Sequence, residues 1–169
     1  MTTVNAQNSV PDAPAPEGAP EFDLDASFGF VVTQAARQMT RELNQRLQPH
    51  GVTAAQWVVL AVLWQQDGLP QNVIADLVGS DRPTLTAMLK LMTAQGLVRR
   101  DRDEADNRYQ RVYLTPVGQR LRDQLPPLAV MVNDAAMAGL SPQDRATLMS
   151  LLNRVRANLG SGPIPHAGP

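Results

Sequence analysis

The 169-residue sequence contains no cysteine. Disulfides are therefore excluded, and so is any trigger based on cysteine oxidation. It has two histidines, His50 and His166, and the second lies in a Pro/Gly-rich tail. With no Cys/His cluster and no tight carboxylate motif, the expected number of metal sites is none. Gly-rich phosphate loops and nucleophile elbows are missing too, so no enzyme activity and no cofactor are expected. No apolar run approaches the roughly 20 residues of a membrane span. The N-terminus has neither the basic start nor the apolar core of a signal peptide, which leads us to expect a cytoplasmic protein without a membrane partner. Lysine occurs once, as Lys90.

What is present is unevenly distributed. Residues 79–122 hold nine Lys/Arg against five Asp/Glu, or +4, while the remainder holds six against eleven, or −5. The total of −1 hides this contrast. A locally basic segment in a slightly acidic chain suits a DNA-reading module, although a solvated surface with chance clustering gives the same totals.

The basic segment sits inside LPQNVIADLVGSDRPTLTAMLKLMTAQGLVRRDRDEADNRYQRVYL, residues 69–114. Ile74, Leu77 and Val78 fall at i, i+3 and i+4, which predicts a helix over about 71–78. Gly79 stops it, since a helix commonly ends on a residue tolerant of positive φ. Ser80 or Asp81 caps the next helix, and Pro83 fits its first turn, where a missing N–H matters least. Leu85, Met88, Leu89 and Met92 form one buried stripe. The opposite face carries Pro83, Ala87, Lys90 and Ala94, flanked by Thr86 and Thr93, and is expected to hold no large apolar group. Short polar groups on such a face reach base edges in a major groove. Candidate DNA contacts are therefore Arg82, Pro83, Thr84, Thr86, Ala87 and Lys90, with Arg82 at the backbone. Residues 97–102 and 109–114 then alternate as strands, with Leu97, Val112 and Leu114 inward. Their loop carries Asp103, Asp106, Asn107 and Arg108. A two-stranded ribbon with an arginine at its tip matches a wing entering a minor groove, so Asn107 and Arg108 join the candidates.

These pieces in order, with the GLVRR exit from the second helix, the D-x-x-D-N-R loop and the LTPVG start after the second strand, resemble the MarR/SlyA family of bacterial transcriptional regulators. The resemblance covers about residues 28–159. Val73 departs from the pattern, since many members carry a polar or acidic residue there, on the exposed side of the first helix. The fold implied is mainly α with a small β wing: a winged helix-turn-helix domain with a helical dimerisation region. The family also implies release of DNA by small aromatic or phenolic anions, bound in a cleft between the winged helix and the dimer helices. Some members sense by cysteine oxidation, which this sequence cannot do.

The flanks fit that architecture. Residues 1–25, with five acids and no base, are expected to be a disordered arm. Residues 26–159 are expected to form one domain, its winged helix at about 53–114 and its dimerisation helices at about 26–48 and 115–159. Residues 160–169 are expected to be a flexible tail. In the first helix Phe28, Val31 or Val32, Ala35, Met39, Leu43 and Leu47 make a stripe ended by Pro49–Gly51. Thr53 and Gln56 have capping-box spacing for a second helix that is apolar nearly all round, with Trp57, Leu60, Ala61 and Trp64 on one face. Thr115 caps a later helix that Pro126 and Pro127 should kink or break. Ser141 starts the last, with Leu148, Leu151, Leu152, Val155 and Leu159 along one side. One winged helix does not need that much extra apolar surface, and pairing with a second copy uses it. A homodimer would place two recognition helices about one duplex turn apart, on a pseudo-palindromic stretch of double-stranded DNA. An organic effector is the simplest remaining trigger, and Arg37, Met39, His50, Trp57 and Trp64 are candidates to line its cleft; periodicity suits the tryptophans better to plain core than to ligand contact. A winged helix used only for protein interaction or dimerisation is the competing reading, and Lys90 near Arg82 and Arg108 argues against it.

Overall fold

The structure is a computed structural model and describes residues 23–102 and 110–160. The N-terminal arm, the wing loop with Asn107 and Arg108, and the C-terminal tail lie outside the described residues. The chain divides into two compact units after Ala35.

In the first unit, the Asp23 carboxylate accepts the backbone N–H groups of Asp25 and Ala26 at 2.9 and 3.3 Å. Ser27 Oγ accepts the Phe30 N–H at 3.5 Å. These contacts lead into helix α1, Phe28–Leu47, whose residues from Ala36 onward belong to the second unit. Its apolar stripe is only partly used: Phe28, Val31 and Val32 are exposed, Met39 and Leu43 are half-buried, and Leu47 is buried.

The second unit holds the core. A short 3-10 turn, Gln48–His50, closes on Gly51 in the left-handed conformation. Helix α2, Ala54–Gln65, opens with the expected capping box: Thr53 Oγ1 accepts the Gln56 N–H, and Gln56 Oε1 accepts the Thr53 N–H. Gln56 is buried, and its Nε2 donates to Gln95 Oε1 at 2.8 Å. Val59, Leu60 and Leu63 are fully buried, as a helix apolar on nearly every side requires. A two-residue strand β1, Leu69–Pro70, leads directly into α3, Gln71–Val78. Gly79, at φ 67°, turns the chain toward α4, Arg82–Ala94. Strands β2, Val98–Arg102, and β3, Gln110–Leu114, follow. The sheet is antiparallel in the order β1-β3-β2. Leu69 pairs with Val112; alternation had no power to announce so short a strand.

Leu97, Val112 and Leu114 are buried, as expected of inward positions. They join Ile74, Leu85, Leu89 and Met92 beneath α3 and α4. Val73 is half-buried and packs on this core. It does not stand on an exposed side of α3, which gives an apolar residue there a physical reason.

Thr115 Oγ1 accepts the Gly118 N–H at 3.1 Å and starts α5, Pro116–Arg120. A 3-10 turn, Leu121–Asp123, separates it from α6, Pro126–Ala136. Pro126 and Pro127 thus break the helix and occupy the first turn of a new one, where no backbone N–H is missed. Helix α7, Pro142–Asn158, has a full capping box from Ser141 and Asp144, yet buries none of its residues. Among the described residues, no helix is long and apolar enough to cross a membrane.

Candidate nucleic-acid interface

Helix α4 is held from beneath and presented outward. Leu85, Leu89 and Met92 are fully buried, which fixes its rotation about its own axis. Asp81 caps it, accepting the Thr84 N–H and hydroxyl, both at 2.8 Å. These two hydrogen bonds, the backbone one first, hold the Asp81 carboxyl below its usual 3.8. At the other end Gln95 accepts from Gln56 and donates to the Gly51 carbonyl at 3.2 Å. The start of α4 is thus closed by its own cap, while its end is tied to α2 and the turn before it, which limits its freedom to tilt.

Arg82, Pro83, Thr84, Thr86, Ala87 and Lys90 are all exposed, so the structure brings the predicted helical residues onto one accessible surface. Their chemistry differs from what sequence suggests. The Thr84 hydroxyl donates to Asp81, the Thr86 hydroxyl to the Arg82 carbonyl at 2.8 Å, and the Thr93 hydroxyl to the Leu89 carbonyl at 2.8 Å. Each hydroxyl has one hydrogen, so these threonines retain acceptor lone pairs and methyl groups but no free donor. Thr86 also accepts from Gln71 Nε2, a residue of α3 that sequence reasoning passed over. Leu91, 62% exposed, stands one turn beyond Ala87. The expectation of a face without a large apolar group is thereby corrected: at about 100° per residue Leu91 lies only about 40° from Ala87, outside the stripe that α3 and the sheet cover.

The wing strands contribute cations that the search for loop residues overlooked. Alternation in β2 separates Val98 and Arg100 from Arg99 and Asp101. Arg99 ion-pairs with Asp101, and its guanidinium lies 4.4 Å from the centroid of the Tyr113 ring opposite it. Arg111 donates to the Gly68 carbonyl at 2.8 Å, joining β3 to the turn before β1. Arg102 is exposed where β2 enters the loop. The run of arginines between residues 99 and 111 was the signal available.

Of the proposed ligand residues, Trp57 and Trp64 form an edge-on ring pair with centroids 5.5 Å apart. Trp64 Nε1 donates to the Gly118 carbonyl at 3.0 Å, linking α2 to α5. Both pack against the core. Met39 and His50 are half-buried and Arg37 is exposed.

Known proteins share this arrangement. A MarR family model matches residues 52–109. The chain is similar to the HTH-type transcriptional regulator TtmR of Methylorubrum extorquens (strain PA1), at 34% identity over 148 residues, 85% of this chain and 75% of the relative. It is also similar to the solved structure of a transcriptional repressor, CouR, bound to a 23-mer DNA duplex, at a TM-score of 0.72 and 27% identity, covering 78% of this chain and 94% of that one. A third similar structure concerns regulation of DNA binding of Bordetella bronchiseptica BpsR by 6-hydroxynicotinic acid, with a TM-score of 0.70, 27% identity, and coverage of 75% of this chain and 96% of that one.

Proposed function

The chain belongs to the MarR family, and from that premise we propose that this transcriptional regulator is a homodimeric, sequence-specific repressor released from DNA by a small organic ligand. The observation that carries the DNA-binding part is α4: capped, locked in rotation by Leu85, Leu89 and Met92, and open along the side bearing Arg82, Thr84, Ala87 and Lys90. Arg82, Pro83, Thr84, Thr86, Ala87 and Lys90 meet bases and phosphates in a major groove, and Asn107 and Arg108 reach the adjacent minor groove. CouR's duplex-bound structure supports this reading by similarity.

Dimerisation rests on unpartnered apolar surface. Leu148, Met149 and Leu151 of α7 are exposed, as are Val130 and Met131 of α6 and Phe28 and Val31 of α1. A helix with no fully buried residue in its own chain, its Leu152 and Val155 only half-buried, gains little from folding unless a partner covers it. A second copy covering these helices places two α4 helices about 34 Å apart, the spacing of a pseudo-palindrome.

The ligand part is supported by the absence of cysteine and by the relative whose DNA binding is regulated by 6-hydroxynicotinic acid. Arg37, Met39, His50, Trp57 and Trp64 are its candidate contacts. Because the Trp64 N–H is already donated to Gly118, an aromatic ligand meets that residue by ring contact. Such a ligand acts as a switch only if it binds the DNA-free arrangement more tightly than the DNA-bound one.

The test is selection of genomic fragments by the purified protein, followed by a salt-titrated gel shift on the selected sites and a thermal-shift screen of small aromatic carboxylates. A sequence-preferring complex whose affinity falls steeply with salt, and which a stabilising carboxylate dissociates, is the expected result. No preference over bulk DNA overturns the regulator reading, and release by peroxide or a divalent metal in place of an organic ligand overturns the sensing part.

A further inference from the structure

We propose that α4 reads thymine 5-methyl groups by apolar contact in the major groove, with Leu91 as a specificity-determining residue. This rests on the DNA-binding reading above and says what that site recognises.

The chemistry of the exposed face points this way. Bidentate readout of a base edge by hydrogen bonding needs two donors or a paired donor and acceptor, as Arg, Asn and Gln supply. The outward face of α4 beyond Arg82 offers Pro83, Thr84, Thr86, Ala87, Lys90, Leu91, Thr93 and Ala94. Pro83, Ala87, Leu91 and Ala94 have no polar side-chain atom. Thr84, Thr86 and Thr93 have turned their hydroxyl hydrogens onto Asp81, Arg82 and Leu89, leaving methyl groups and spare lone pairs. Lys90 is the remaining donor on this face, and a flexible ammonium recognises a phosphate or a guanine without bidentate geometry. The thymine methyl is the one apolar feature that a base pair shows in the major groove.

Leu91 is the side chain with enough surface to use it. A leucine 62% exposed on a helix whose other face is fully packed is not explained by the fold of the chain. Thr84, Ala87 and Leu91 follow one another at i, i+3 and i+7 along one side of the helix. At about 1.5 Å per residue that line is roughly 10 Å long, or about three base-pair steps of 3.4 Å. The occupant is DNA and not a protein because cations border the patch: Arg82 at the helix start, Lys90 beside Leu91, and Arg102 exposed where the wing begins.

The experiment replaces thymines of a selected operator, one at a time, by deoxyuridine. This removes a methyl group and keeps every hydrogen-bonding atom. Full-length protein is titrated against each duplex at fixed salt. At one or more positions in each half-site, affinity is expected to fall about fourfold, the equivalent of one buried methyl group. Leu91→Ala is expected to bind the thymine operator more weakly and to lose the thymine-over-uracil preference at one of those positions, while still dimerising. Leu91→Gln serves the same comparison with the side-chain length kept. A specific operator indifferent to uracil at every position overturns this inference and leaves the regulator reading intact. So does a Leu91→Ala protein that keeps the full methyl preference, or one whose defect is loss of the dimer. Failure to select any sequence overturns the regulator reading and this one with it.

Discussion

Lys90 and Asp81 belong to the same stretch but face different ways: the Lys90 side chain is exposed on α4, and the Asp81 carboxylate closes the helix start. The Lys90 side chain stands on the exposed face of α4, so its removal leaves the core untouched. Lys90→Ala is expected to keep the wild-type melting temperature and to weaken operator binding. If the ammonium neutralises a phosphate, the salt slope of binding drops by about one unit. An affinity and slope equal to wild type at moderate salt remove Lys90 from the interface. Asp81 holds the helix start through Thr84, and its carboxyl is held below 3.8 by those bonds. The sign follows from linkage: a depressed folded-state pKa means stability that is present above the unfolded value and lost as pH falls through the folded one. Melting curves recorded from about pH 5 downward should therefore lose stability faster in wild type than in Asp81→Asn, which keeps a capping oxygen without the charge. Parallel curves for the two proteins would mean that the carboxylate contributes nothing at the cap.

At the scale of elements, the junction between α4, the sheet and α5 determines how α4 is carried. Thr115 Oγ1 donates to the Gly96 carbonyl, with the Leu97 carbonyl also within 3.1 Å, and accepts from Gly118, so the exit of α4 and the start of α5 share one side chain. Trp64 adds a bond from α2 to the Gly118 carbonyl. Gly118 is buried here, and a Cβ on it would fall on the Leu97 carbonyl oxygen and crowd Leu114. Backbone cannot yield as a flexible side chain does. Gly118→Ala is expected to lower unfolding free energy by about 2–3 kcal/mol, in the upper range for overpacking, measured by urea denaturation. A loss well under about 1 kcal/mol would show that α5 slides aside at little cost. Gln56 and Gln95 form the matching junction at the far end, bringing the start of α2 onto the end of α4. A shift of α2 thus has a physical route to the end of α4 through this contact.

For the whole molecule, apolar surface on the outer helices is the feature that a single chain leaves unused. Leu151 is 50% exposed in the middle of α7. In a monomer, Leu151→Glu alters a solvated position and changes little. In a dimer built on α7 it buries a charge against apolar groups, which is strongly unfavourable. The variant is expected to sediment as a monomer at micromolar concentration, to lose the concentration dependence of its melting temperature, and to bind a pseudo-palindromic site far more weakly than wild type. A Leu151→Glu protein that remains dimeric places the contact elsewhere on the chain.

Local chemistry in the sequence was sufficient for the helix-turn-helix, because each of its signals acts within a few residues. Gly79 adopts the positive φ that ends α3, Asp81 caps α4, Thr53 and Gln56 form their box, and Pro126–Pro127 start a new helix. The stripe of Leu85, Leu89 and Met92 likewise identified the buried side of α4 and so, by elimination, the face turned outward. What needed the tertiary structure was everything set by contacts between distant residues. Strand β1 is a strand only because Leu69 finds Val112. Val73 packs on the core because α3 leans on the sheet, and Leu91 stays 62% exposed, outside the core that the described residues form. The threonine hydroxyls on α4 read as base-seeking donors in a sequence, whereas folding turns them onto Asp81 and the helix's own carbonyls. Periodicity reports which side of a helix is apolar; it carries no information about what the rest of the chain, or a second chain, will bring against it.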